Sequence, residues 1–169
     1  MKVVMSSIWE QVGDTIVAEF SDLNDVAELT RVSVRLLIAA LLGGILGFER
    51  EQRGKSAGIK THMLVCIGAA LFVLIPQQAG LIAEADLSRV MQGIISGIGF
   101  LGAGAILKGD DEKNLKGLTT AAGIWLTAAI GVAAGLGRES SAILCTLLAL
   151  MVLLIIPKIA GLIGRKDNT

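Results

Sequence analysis

The feature that most constrains this chain is the spacing of its charges. Between Leu36 and Pro157 the Lys, Arg, Asp and Glu residues fall in short clusters, with long apolar runs between them. These runs are Leu36–Phe48, Met63–Ala83 (interrupted by Pro76, Gln77 and Gln78), Val90–Leu107, Leu118–Gly137 and Ser140–Pro157. A helix at the edge of a water-soluble core shows a polar face with a period of 3.6 residues, and these runs lack one. A helix needs about 20 mostly apolar residues to cross the hydrocarbon core, with about 17–25 as the working range. The last three runs meet that length as they stand. Leu36–Phe48 meets it when its helix begins near Asp25 or Arg31, with Arg35 turned into the bundle or snorkelling outward. The expected fold is therefore all-α: an integral membrane bundle of about five transmembrane helices, with four or six as the alternatives.

Composition agrees. The chain is 53% hydrophobic and 18% charged, against roughly 45–50% and about 25% for ordinary globular chains. Fifteen basic residues balance fifteen acidic ones, so no bulk charge calls for nucleic acid. After Lys2 only Val3–Met5 is apolar, too short for the core of a cleavable signal. Cys66 and Cys145 stand alone in apolar runs and are expected to be buried, inert thiols.

Basic residues also set an orientation. The loop after the first run holds Arg50, Arg53, Lys55 and Lys60; the loop after the third holds Lys108, Lys113 and Lys116; the tail holds Lys158, Arg165 and Lys166. The opposite side holds Lys2, Arg31, Arg35, Arg89 and Arg138. Ten against five places the N-terminus outside and the C-terminus in the cytosol. Residues 1–30 then form an outward-facing segment in which Trp9, Val12, Ile16, Phe20 and Leu23 follow helical spacing. Glu10, Asp14, Asp22, Asp25 and Glu28 fall largely opposite. The spacing predicts an N-terminal amphipathic helix, read either as a solvated lid or as an acidic cation-sensing face. Residues 31–164 form the transmembrane domain and residues 165–169 a short cytosolic tail.

Gly43/Gly47, Gly93/Gly97 and Gly131/Gly135 are GxxxG pairs within separate runs. Small residues let helix backbones approach in lipid, which points to a tight bundle, a homo-oligomer, or both. Gly97, Gly99 and Gly102 also spell GxGxxG, but no strand–turn–helix context surrounds them, so the dinucleotide reading fails. Close packing, or a local break over Gly97–Gly104 of the kind transporters use, is expected instead. No HExxH, GxSxG or Walker A motif occurs, and no enzyme is expected.

Polar residues at the run margins are the candidate functional or structural sites, because ionisable groups near the apolar slab are costly unless paired. They are Arg35, Glu49, Arg50 and Arg53. His62, a lone histidine, reads as an interfacial polar residue. Asp110–Glu112 read as a solvated turn, with weak water-mediated Mg²⁺ contact as the alternative; no cofactor beyond that ion is expected. Inside the runs the polar groups are Gln92, Ser96, Thr119, Thr120, Thr127 and Thr146, with no midplane carboxylate. A cation path would have to use carbonyls, hydroxyls and amides.

Four stretches together resemble the MgtC/SapB family of bacterial inner-membrane proteins. They are RLLIAALLGGILGFERE (Arg35–Glu51), AGIKTHMLVCIGAALFVL (Ala57–Leu74), RVMQGIISGIGFLGAGAIL (Arg89–Leu107) and NLKGLTTAAGIWLTAAIGVAAGLG (Asn114–Gly137). The resemblance implies a hydrophobic domain of about five spans in the bacterial cytoplasmic (inner) membrane. It also implies a part in adaptation to low magnesium, acid or envelope stress, and in some members restraint of the F-type ATP synthase. It carries over Arg35, Glu49, Arg50, the Gly97–Gly104 segment with Gly99, Gly102 and Gly104, and Asn114, Gly117, Thr119 and Thr120, without assigning them a chemical step. The virulence-associated members continue into a soluble C-terminal domain, whereas this sequence stops soon after its fifth run. Some members have Asp where this sequence has Gly123.

The leading expectation is a non-enzymatic membrane protein of magnesium and stress homeostasis. It acts by docking glycine faces on itself or on a partner complex, with Glu49, Arg50 and Arg53 fixing orientation. The alternative is a small Mg²⁺ or other cation transporter whose path involves Gln92, Gly97, Gly102 and Thr119.

Overall fold

The computed structural model describes residues 2–19, 25–78, 84–108 and 115–163. These form six helices: α1 (Lys2–Glu19), α2 (Val26–Gln52), α3 (Ile59–Gln78), α4 (Glu84–Gly104), α5 (Leu118–Gly135) and α6 (Glu139–Ile163). A two-residue antiparallel ladder, β1 (Leu107–Lys108) with β2 (Leu115–Lys116), links α4 to α5, pairing Leu107 with Lys116 and Lys108 with Leu115. The chain divides into two compact units, Met1–Val34 and Arg35–Thr169.

In the first unit α1 realises the predicted N-terminal helix, and its residues from Ser7 to Glu19 are exposed. Phe20, Asp22 and Leu23 lie outside the described residues. The start of α2 is set by Asp25, whose Oδ1 accepts the Ala27 N–H at 3.0 Å, an N-cap that satisfies one of the orphan donors of the first turn.

In the second unit α2, α3, α5 and α6 share one core, built from Ala39, Leu42, Leu46, Cys66, Ala70, Ile130, Ala134, Ala142 and Ala149. Most of these side chains are small. The large apolar side chains face outward instead, among them Leu37, Leu41, Phe72, Leu144, Leu147 and Met151. Small residues inside and large ones outside is the arrangement lipid favours, because a hydrocarbon solvent sets no penalty on exposed leucine and rewards close backbone approach. The helices α2, α3, α5 and α6 are long and apolar enough to cross a membrane. The third apolar run forms α4, but that helix begins among Glu84, Asp86 and Arg89 and stops at Gly104, leaving a shorter apolar segment.

Two of the three GxxxG pairs are consumed within the bundle, both against α3. A Cβ on Gly43 would stand 2.6 Å from the His62 carbonyl oxygen, and one on Gly47 2.6 Å from Ile59 Cα. On the other side Gly131 abuts Cys66 and Ala69, and Gly135 abuts Ala70 and Val73. So α3 is clamped between α2 and α5. Gly54 and Gly137 end α2 and α5 in the same way. Each has positive φ (62° and 74°), and the residue after each donates its N–H five residues back: Lys55 to Arg50 at 3.0 Å, Arg138 to Ala133 at 2.8 Å. This is the Schellman closure, which a Cβ would strain.

Several expectations change here. No break interrupts α4: the helix is continuous from Glu84 through Gly97 to Gly104. The second run, read as far as Ala83 with an interruption at Pro76, carries α3 through Pro76 to Gln78, and residues 79–83 lie outside the described residues. Cys66 is buried as expected, but Cys145 is exposed, because α6 turns that face away from the core. His62 is packed inside the bundle, with only 1% of it exposed.

Candidate functional site

The margin charges separate into two clusters at opposite ends of α2. At one end Arg35 ties the helix ends together. Its Nη1 donates to the Gly135 carbonyl at 3.0 Å and to Gln77 Oε1 at 3.3 Å, and its Nε lies 3.9 Å from Glu139 Oε1. The guanidinium lies over Gly137, where an added Cβ would come within 2.9 Å of Cζ. Four elements thereby meet on one cation: α2, α3, α5 and α6. The bundle-facing alternative for Arg35 is the one the chain adopts.

At the other end Glu49 and Arg50 are buried, 8% and 2% exposed. A buried charge is tolerated only when paired and hydrogen-bonded. Glu49 Oε2 accepts Arg50 Nε–H at 2.5 Å and also pairs with Arg50 Nη2, while Arg53 Nε lies 2.6 Å from Glu49 Oε1 as an ion pair without hydrogen-bond geometry. One carboxylate thus bridges two guanidiniums. Glu51 is engaged separately: its Oε2 accepts the Ile59 N–H at 2.9 Å and caps the start of α3.

One turn deeper, His62 Nδ1 lies 3.0 Å from the Gly58 carbonyl oxygen. The carbonyl can only accept, so Nδ1 carries the proton, and in the neutral ring Nε2 presents a lone pair. That Nε2 is buried without a hydrogen-bond partner among the described residues. It faces Gly123 of α5, where an added Cβ would stand 3.6 Å away. A buried acceptor left unmet costs about 1–3 kcal/mol.

Arg50, His62 and Thr119 form the polar end of a cavity of about 350 Å³, whose remaining wall is apolar: Leu46, Leu126, Leu148 and Ala149 among others. A second cavity of about 620 Å³ shares Arg50, Thr119, Val152 and Leu153 with it and adds Arg53 and Lys55. The two form a crevice with a basic mouth and an apolar interior.

The other candidates lie elsewhere. Gly117 precedes α5 with φ 96°, packed against the Ala105 carbonyl and Ile106 Cα. Thr120 is buried. Gly102 faces Ala121 at van der Waals distance, whereas a Cβ added at Gly93, Gly97, Gly99 or Gly104 would meet no atom of the described residues within 4 Å. Gln92 is exposed on α4. Asn114 and Asp110–Glu112 lie outside the described residues. Among the described residues no group of three or more His, Cys, Asp or Glu stands close enough to hold a metal ion. Sequence reasoning brought Glu49, Arg50, Arg53 and Thr119 to notice as candidates; it noted His62 and Gly123 separately and did not connect them. The available signal was the chain's single histidine at the head of an otherwise apolar run.

Residues 36–162 match the model of the MgtC family. Among curated relatives, Protein SrpB of Synechococcus elongatus is 42% identical over 132 residues, covering 72% of this chain and 72% of its own length. The putative magnesium transporter YhiD of Escherichia coli K12 is 41% identical over 130 residues, 71% of this chain and 58% of that protein. Protein MgtC of Brucella abortus is 43% identical over 124 residues, 73% of this chain and 50% of that protein. The match therefore spans about half to three-fifths of the MgtC and YhiD relatives. No solved structure gives a match.

Proposed function

The chain belongs to the MgtC family, and from that premise we propose that it is a non-enzymatic inner-membrane protein of magnesium and envelope-stress homeostasis, working through helix contacts with itself or a partner complex. The observation that carries this reading is the unequal use of the glycine pairs. Gly43/Gly47 and Gly131/Gly135 are spent inside the bundle, while Gly93 and Gly97 face open space. Beside them lies a groove of about 490 Å³ between α3 and α4, floored by Gly68, Gly93 and Gly97 and edged by Phe72, Val90 and Ile94. A floor of glycines with larger apolar rims suits the ridge of another helix. The F-type ATP synthase is the partner complex that family resemblance brings forward. The N-out, C-in orientation rests on the basic residues alone.

The test is crosslinking in the native membrane with Gly93→Leu plus Gly97→Leu. The reading expects the variant to lose its crosslinked species and its growth at low magnesium while remaining inserted. Unchanged oligomers and unchanged growth would sink it.

A second reading, a Mg²⁺ transporter, is favoured by the name of the YhiD relative. Against it, the crevice near Thr119 is lined by Arg50, Arg53 and Lys55, which repel a divalent cation. Saturable Mg²⁺ flux in vesicles of the purified protein, lost in Gly97→Leu, would establish it over the first.

A further inference from the structure

The crevice at the Glu49 end has a chemical gradient that the association reading does not use. Its mouth carries Arg50, Arg53 and Lys55. The carboxylates beside them are Glu49, which pairs with both arginines, and Glu51, which is bonded to the Ile59 N–H. Three cations against Glu49 leave an excess of positive charge at the mouth. The inner cavity continues between α5 and α6 with almost wholly apolar walls. Leu148 and Val152 on its rim are about half exposed, 49% and 56%, so it opens sideways on the face that α6 turns to lipid. At the polar end of the inner cavity, the buried His62 Nε2 lacks a hydrogen-bond partner among the described residues, a polar atom where charge gives way to hydrocarbon.

We propose that this crevice seats an anionic phospholipid, with its phosphate at Arg50, Arg53 and Lys55 and one acyl chain laid along Leu126 and Leu148. Charge complementarity selects the headgroup, since juxtamembrane Lys and Arg attract anionic lipid, and guanidinium geometry matches phosphate oxygens. The apolar interior selects a chain over a free anion. His62 Nε2 lies at the level of the glycerol zone, where water carried in by the headgroup supplies its missing donor.

The full chain, purified in neutral detergent, is offered phosphatidylglycerol and phosphatidylcholine in equal amounts, and bound lipid is read by native mass spectrometry. Phosphatidylglycerol is retained preferentially. Arg53→Gln with Lys55→Gln weakens its retention about twenty-fivefold and leaves phosphatidylcholine unchanged, at roughly fivefold for each cation removed. Ala122→Phe, which fills the inner cavity and alters no charge, also displaces it. Where the double variant does not fold, the exposed Lys55→Gln carries the test alone with about a fivefold loss. Equal retention of the two lipids overturns the proposal, as does phosphatidylglycerol binding that Ala122→Phe leaves intact. Full displacement by inorganic phosphate overturns it in favour of a plain anion site. Lipid-free disulfide dimers through Val152→Cys overturn it in favour of a second copy in the crevice.

Discussion

At the scale of single residues, the Glu49 cluster separates what burial costs from what it holds. Arg50 and Arg53 reach the same carboxylate, but the Arg50 side chain is 3% exposed and that of Arg53 35%. Removing one member of a buried pair costs up to about 3–5 kcal/mol, less here in so far as Arg53 still reaches Glu49, whereas the more exposed pair contributes under about 1 kcal/mol. Arg50→Gln should therefore lower the thermal midpoint of the purified protein sharply and Arg53→Gln barely; equal losses would mean that the pair is not buried in the bilayer-embedded protein. Gly123 offers a gain in place of a loss. Gly123→Ala adds about 1 kcal/mol of helix propensity. Gly123→Ser adds less propensity, but its hydroxyl can reach the lone pair of His62 Nε2, worth about 1 kcal/mol or more. The serine variant is expected to melt above the alanine variant, and the reverse order would show that Nε2 is already met. Glu49, Arg50 and Arg53 were legible in the sequence because a charge at the margin of an apolar run needs a partner wherever the fold goes. His62 was not, since its importance lies in what α5 leaves unfilled beside it, and glycine at 123 leaves no mark that a sequence reader can tie to residue 62.

At the scale of elements, the three GxxxG pairs are indistinguishable as text and differ in the fold. The runs of apolar residues located α2, α3, α5 and α6, because helix length and hydrophobicity are local properties that lipid enforces, but only α5 nearly to its ends: α2 starts well before Leu36 and α6 continues past Pro157. Which face of each helix meets which neighbour is set by packing among all of them, and no local pattern in the sequence records it. A Cβ on Gly131 would intrude on the Cys66 carbonyl and stand 3.0 Å from Ala69 Cβ, while one on Gly97 would meet nothing. Forcing a methyl into a packed contact costs about 1–3 kcal/mol; adding one to an open helix face gains up to about 1 kcal/mol. Gly131→Ala should thus destabilise the monomer and Gly97→Ala should stabilise it slightly, as read by thermal melting in detergent at a dilution where the protein is monomeric. Stabilisation by both would mean that α3 is not clamped between α2 and α5. The helix α4 shows the same limit from the other side. The Gly-rich text around Gly97–Gly104 is compatible with a broken helix, and the chain instead carries the helix unbroken to Gly104 before it turns into β1, because an open lipid-facing surface gives no group with which unwound carbonyls could pair.

At the scale of the whole molecule, the two polar ends differ in a way that bears on orientation. The Arg35 end is knotted: its Nη1 donates to Gly135 and Gln77, and its Nε approaches Glu139. The Glu49 end has cations to spare, with Arg53 and Lys55 at an open mouth. An excess of Lys and Arg is retained on the cytosolic side during insertion, so the Glu49 end should face the cytosol and the Arg138 turn the outside. Single-cysteine labelling tests this directly, in a background with Cys145→Ala so that the exposed native thiol does not report. Ser56→Cys, in the turn after α2, should resist a membrane-impermeant maleimide in intact cells and react in inverted vesicles. Ser140→Cys, exposed at the start of α6, should do the opposite. Since α5 has its two ends on opposite faces if it crosses, the two positions must label on opposite sides whatever the orientation. Labelling of both from the same side would mean that α5 does not span the bilayer, and labelling in the reversed sense would place the basic crevice outside, against the charge balance that predicts it within.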